Sequence, residues 1–171
     1  MALPHLTSVQ GRRLLGAVAL AAAVAGAIVG AAEHWGGLEP CSLCWTQRGI
    51  LALLMLVALA GFLLWPRRRW GRGMLAAALG ATALGGLVVA TRHVYVMWNP
   101  EVVDCGMSPE VMLQMMPWQE VLIELVMGNT DCAEAAAVLG VPLPLASWIG
   151  FTALGGLGLV AVLRSGRPGQ A

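Results

Sequence analysis

Glu39-Pro40-Cys41-Ser42-Leu43-Cys44-Trp45-Thr46-Gln47-Arg48 runs without a break into the apolar residues 49–65. A helix starting at or near Cys41 places Cys41, Cys44 and Arg48 at i, i+3 and i+7, on one face. Two positive influences meet there: the unpaired N–H groups of the helix start and the permanent cation of Arg48. Both favour a thiolate and make its sulfur reactive. The stretch therefore reads as a dithiol held at the mouth of a long apolar helix.

Working outward, the 171 residues are 58% hydrophobic and 11% charged, with no lysine, which excludes an ordinary soluble domain. Apolar runs occur at 14–32, 49–65, 74–90 with a polar extension to 96, and 145–163. Each is about the length a helix needs to cross roughly 30 Å of hydrocarbon. The reading is an all-α membrane protein: a single domain, 1–171, in which four transmembrane helices (about 14–32, 45–65, 74–96 and 145–163) form a bundle. Arg12 and Arg13 before the first run would also suit a cleavable leader, but this run is longer than the usual apolar core of such a leader, so it is kept as a helix.

Charge sets the orientation. Eight of the ten arginines lie at Arg12, Arg13, Arg67, Arg68, Arg69, Arg72, Arg164 and Arg167, in the two tails and the second connection. All nine acids (Glu33, Glu39, Glu101, Asp104, Glu110, Glu120, Glu124, Asp131 and Glu134) lie in the other two connections. The positive-inside rule puts both termini in the cytoplasm and the acidic loops, about 33–44 and 97–144, on the outer side. On that basis the run around Arg67–Arg72 is a topology signal, and no nucleic-acid partner is expected.

Cys41, Cys44, Cys105 and Cys132 all fall in or beside the outer loops, where a bacterial chain meets an oxidising compartment. Four cysteines allow three pairings, and the spacing chooses none of them. In the second loop, Ser108-Pro109 offers a helix start, and Met112, Met115 and Met116 precede Pro117. From there Trp118, Val121, Leu122, Leu125 and Val126 follow i, i+3, i+4, i+7 and i+8, until Gly128-Asn129 stops the helix. This predicts a short amphipathic helix lying on the bilayer, flanked by Cys105 and Cys132. Gly26 and Gly30 in the first run form a small-xxx-small step that would let another helix approach closely.

The Cys-x-x-Cys could serve redox chemistry, half a zinc site completed by the other two cysteines or by a set with His34 or His93, or a structural clip. The wide spacing of Cys105 and Cys132, with 26 residues between them, lacks a second tight metal knuckle and favours redox chemistry with no metal. The methionines read as adaptable packing against lipid and isoprenoid chains, in preference to a copper site. Arg48 is one of two arginines on the outer side, where topology gives no reason to keep it, so a thiolate or an electron-rich ligand is its expected partner. His93, at the outer end of the third run, suits an interface anchor or a proton relay equally well.

Pro40-Cys41-x-x-Cys44 with Arg48, His93, Cys105, the run Asp131-Cys132-Ala133-Glu134 and the Pro144-x-x-x-Trp148 approach to the last helix together resemble the bacterial disulfide bond formation protein B (DsbB) family, over nearly the whole chain. The resemblance implies an inner-membrane oxidoreductase that reoxidises a periplasmic DsbA-like thiol oxidase and reduces ubiquinone or menaquinone. It implies disulfides Cys41–Cys44 and Cys105–Cys132, with the partner attacking Cys105, Cys132 exchanging with Cys41, and Cys44 released as a thiolate against the quinone. Arg48, with His93 beside it, would hold the quinone ring. The residues Ser42-Leu43 and Trp45-Thr46-Gln47 carry no role in that comparison. A vitamin K epoxide reductase-like enzyme is a second reading, but it would place its Cys-x-x-Cys later in the bundle. A non-enzymatic membrane protein with structural disulfides is a third, distinguished by the lack of quinone-dependent thiol turnover.

Overall fold

A computed structural model describes residues 7–37, 40–103, 109–133, 137–138 and 140–165. Thr7 caps the first helix, α1 (Ser8–Gly36), in a reciprocal capping box with Gln10, and Gly37, at φ 63°, closes it in the left-handed conformation that glycine adopts without penalty. After Pro40, Cys41 is the extended cap residue of α2 (Ser42–Leu64). A turn containing Pro66 leads to α3 (Arg69–Trp98), so both α1 and α3 extend beyond the apolar runs that mark them in the sequence. The added turns carry Arg12 and Arg13 at one end of α1, and His34 and Trp35 at the other, as polar or amphipathic ends of an apolar span.

The second loop folds into α4 (Pro109–Met115), α5 (Trp118–Met127) and a minimal antiparallel ribbon, β1 (Ala137–Val138) and β2 (Val141–Pro142). It delivers the chain to α6 (Leu143–Leu163), where Pro144 sits in the first turn, the part of a helix that needs no N–H from it. Cys105, with Asp104, Ser108 and Glu134, lies outside the described residues, as does Glu39 in the first loop.

The four long helices α1, α2, α3 and α6 pack as a bundle, α1 on α2 and α6, and α3 on α2 and α6. All four are long and apolar enough to span a membrane, yet only 22% to 28% of each apolar window is buried within the protein. Leu20, Leu53, Leu63, Leu84, Val88 and Ile149 instead face outward, as they must when hydrocarbon, not water, is the solvent. The chain is thus a multi-pass membrane protein. Leu15, Val18, Leu54, Leu79 and Phe151 form the inner core. In lipid such contacts gain little from hydrophobic transfer, so close fit has to hold the helices together. The fit is close between α3 and α6, where a Cβ at Gly86 would overlap the Phe151 ring and one at Gly155 would overlap Ala83. Gly26 and Gly30 behave otherwise: a Cβ at either meets nothing, so their step is not a packing seam, and Gly26 lines a cavity instead.

α5 docks on the N-terminal end of α2. Thr46 Oγ1 donates to Leu125 O at 2.8 Å, Arg92 Nε donates to Met127 O at 3.1 Å, and Val121 is buried. Trp118, Leu122, Ile123 and Val126 remain exposed on the rest of the helix, an apolar surface suited to the bilayer interface.

Candidate active site

The start of α2 places its two cysteines one turn apart, and their sulfurs lie 3.1 Å from each other, both as thiols. Cys41 is buried and Cys44 half-buried. The second loop brings Cys132 to the same place. Gly128 ends α5 at φ 83°, packed against Leu43, and the turn Thr130–Cys132 then buries Cys132 completely beside Cys41, Leu43, Val89 and Val96. The spacer residues of the Cys-x-x-Cys thus acquire roles: Leu43 is the floor on which the loop rests, and Ser42 Oγ lies 3.6 Å from Cys132 Sγ.

The electrostatics of the loop and cap cysteines differ. A hydrogen bond from the Cys41 thiol is the main influence holding Cys132 down, to about 6, with backbone groups of Asn129 and Leu43 and the Ser42 hydroxyl acting in the same direction against burial. Cys41 is pushed the other way, well above the ordinary thiol range, by its hydrogen bonds to Cys132 and Cys44 and by burial. Of these two, the surroundings of Cys132 favour the thiolate and those of Cys41 the thiol.

His93 is fully buried on α3, behind Cys41. Gln47 Nε2 donates to His93 Nδ1 at 3.2 Å, which leaves the ring proton on Nε2, 3.7 Å from Cys41 Sγ. Cys41, Cys44 and His93 place their ligand atoms within 4.8 Å of one another. Such a set could hold a thiophilic metal ion only while both sulfurs are reduced.

On the other side of Cys44 lies a cavity of about 150 Å³ between α1, α2 and α6. Its walls are mainly aliphatic and aromatic side chains with small residues, among them Val29, Leu51, Phe151 and Leu154, and its polar lining comes from Cys44, Gln47, Arg48 and Ser147. Arg48 is held by a bidentate ion pair, its two terminal nitrogens on the two carboxylate oxygens of Glu33 from α1. Its Nε is buried without a hydrogen-bond partner among the described residues.

The structure therefore brings together Cys41, Cys44, Cys132 and His93, with Arg48 one turn beyond Cys44 along α2, while Cys105 lies outside the described residues. It sets His93 against Cys41 and Gln47, and His93 is not part of the cavity wall that Arg48 and Cys44 share. Glu33 and Gln47 are the site residues that sequence reasoning missed. Each had a signal: a carboxylate at the end of an otherwise apolar span, and an amide one turn beyond Cys44 in another, positions where polar groups need a partner.

The family model described as Disulfide bond formation protein DsbB matches residues 11–161. A disulfide bond formation protein B of Alkalilimnicola ehrlichii is 54% identical over 131 residues, covering 77% of this chain and 80% of the relative. One from Marinobacter nauticus is 40% identical over 139 residues, 80% and 82% of the two chains. One from Methylococcus capsulatus is 36% identical over 151 residues, 86% and 90%. No solved structure matches. Four membrane-spanning helices, reactive thiols gathered at one end of the bundle and a family match over most of the chain agree: the protein belongs to the disulfide bond formation protein B family and is a disulfide-generating membrane oxidoreductase.

Proposed function

We propose that the protein reoxidises a periplasmic DsbA-like thiol oxidase and passes the electrons to a membrane quinone, ubiquinone or menaquinone. The arginine distribution supports an orientation in the bacterial inner membrane with both termini cytoplasmic and the cysteines periplasmic. The observation that carries the quinone assignment is the cavity beside Cys44. Its lining is mainly apolar, as an isoprenoid quinone requires, and Arg48 lines it with a buried Nε that has no hydrogen-bond partner among the described residues. Proteins rarely leave such a donor unmet, and a quinone carbonyl is an acceptor of the right kind. When bound, a quinone supplies the sink for two electrons and two protons and leaves as quinol.

The chain's own residues do the rest. In the oxidised enzyme the pairs are Cys41–Cys44 and Cys105–Cys132. A thiolate of the reduced partner attacks Cys105, forming a mixed disulfide and releasing Cys132. The partner's second thiol then attacks its own half of that bond, so the partner leaves oxidised and Cys105 and Cys132 are left as thiols. The Cys132 thiolate attacks Cys41 and expels Cys44, and Cys105 completes the exchange by attacking Cys132, which leaves Cys41 and Cys44 reduced. His93 Nε2, 3.7 Å from Cys41 Sγ, steadies that sulfur beside Cys132, and Gln47 fixes the imidazole tautomer. Arg48, one turn beyond Cys44 on the same cavity wall, brings a permanent cation to the Cys44 sulfur. Overall, one partner dithiol and one quinone become one partner disulfide and one quinol.

The test is Arg48→Ala. The quinone KM should rise about tenfold or more, as expected for a lost hydrogen bond to a charged donor. Single-turnover exchange between the reduced partner and the second loop should stay as in the parent. Arg48→Lys should rescue only in part, because a point charge replaces the planar fork. Normal quinone kinetics in Arg48→Ala would return the residue to an interface anchor and remove the quinone site from this cavity.

A further inference from the structure

The bidentate contact between Glu33 and Arg48 has no place in the electron path, yet it determines which part of the guanidinium the cavity can use. We infer that Glu33 is a positioning residue for the quinone site: it fixes the Arg48 fork by its two terminal nitrogens and so sets the direction of the three N–H groups that the carboxylate leaves unused. The inference rests on the proposed quinone reading and assigns a role to a residue of α1 that touches neither cysteine.

Three observations carry it. Glu33 lies one turn beyond Val29 on the stripe of α1 that includes Ala25, Gly26 and Val29, all of which line the cavity, so the carboxylate stands at the outer rim of that wall. Both of its oxygens are engaged by Arg48, which spans from α2 to reach them. A guanidinium carries five N–H groups in a rigid plane, so pinning the two ends fixes the direction of the third nitrogen. That third nitrogen is buried and has no hydrogen-bond partner among the described residues.

The pairing also sets the class of ligand. With Glu33 in contact, the rim carries an oriented donor but little net charge, which lowers the cost of keeping an arginine beside hydrocarbon and suits a neutral acceptor such as an oxidised quinone. An unpaired arginine would attract anions equally well. Glu33 is therefore expected to matter for binding and orientation, and hardly at all for thiol exchange.

The experiment uses the full chain in detergent, with Glu33→Ala, Glu33→Gln, Arg48→Ala and the double variant Glu33→Ala/Arg48→Ala. Binding of a short-tailed ubiquinone is read by quenching of tryptophan fluorescence, and KM and kcat are measured with a reduced thiol oxidase partner. Glu33→Ala should raise both the quinone Kd and KM about threefold to tenfold, the range expected for contacting residues in one network, with kcat at saturating quinone within about twofold. Glu33→Gln, which keeps one acceptor oxygen, should fall between Glu33→Ala and the parent. In the Arg48→Ala background, Glu33→Ala should add nothing further. Circular dichroism checks the fold, and if Glu33→Ala loses its helices, the Kd of Glu33→Gln decides. An unchanged or tighter Kd in the Glu33 variants, beside a weakened Arg48→Ala, overturns the positioning role and leaves the pair as a helix clamp. An Arg48→Ala protein that binds quinone normally overturns the quinone reading itself.

Discussion

Consider a chain in which Cys44 and Cys105 are replaced by Ala, so that Cys41 and Cys132 remain, and a second in which Cys41 is Ala as well. In the first, the Cys41 thiol donates to the buried Cys132 sulfur, and that bond is the largest of the influences holding Cys132 near 6 against an ordinary value of 9.0. At about pH 7 those two values correspond to roughly nine in ten and roughly one in a hundred sulfurs ionised. In the second chain the donor is gone while burial, which raises the value, stays. The midpoint of Cys132 should move up, most of the way to the ordinary value or beyond it. Thiolate ultraviolet absorbance followed against pH in detergent and under reductant reads the midpoint in both proteins. Equal midpoints would refute the account, because Cys132 would then owe its reactivity to something other than its contact with Cys41.

Three further outcomes follow from the same geometry. Because Cys132 attacks as its thiolate, its exchange with the Cys41–Cys44 disulfide should slow about tenfold per unit once the pH is well below the midpoint that Cys132 has in that oxidised state, as stopped-flow mixing would show. Cys132→Ser should trap the reduced partner on Cys105 as a mixed disulfide visible on a non-reducing gel; an adduct formed through Cys41 instead would reverse the order of the two pairs. Gly86→Val, which drives a side chain into Phe151 where α3 meets α6, should cost about 1 to 3 kcal/mol and lower the melting temperature in detergent.

The fold was legible because the bilayer writes strong signals. Apolar runs of the right length, with every acid on one side and eight of ten arginines on the other, leave little choice of architecture. The cysteine pair at the start of α2 was equally plain, since a helix face is a local property. What stayed hidden was contact between distant segments. No local period tells that Cys132, 90 residues after Ser42, is buried on the spacer of the Cys-x-x-Cys, or that Leu43 and Gly128 fit together to put it there. Arg48 was expected beside a thiolate, and it does share a cavity with Cys44, but its partner Glu33 sits on another helix and seemed only one acid of an acidic loop. His93 was read as an interface ring equally suited to anchoring or relay; complete burial between Gln47 and Cys41 could be seen only once α2 and α3 were packed. Small residues serve close helix contact and cavity lining alike, so the Gly26 and Gly30 step assigns no role by itself, and in the fold Gly26 lines the cavity.

The most direct test of the central claim mixes the purified protein, in catalytic amount, with an excess of reduced DsbA-like partner under anaerobic conditions, with and without a short-tailed ubiquinone, and counts partner disulfides against quinone reduced. The account predicts many turnovers with quinone, one quinone consumed per disulfide formed, and no more than the enzyme's own disulfides transferred without it. Equal turnover with and without quinone, or disulfide formation with no quinone reduced, would contradict it.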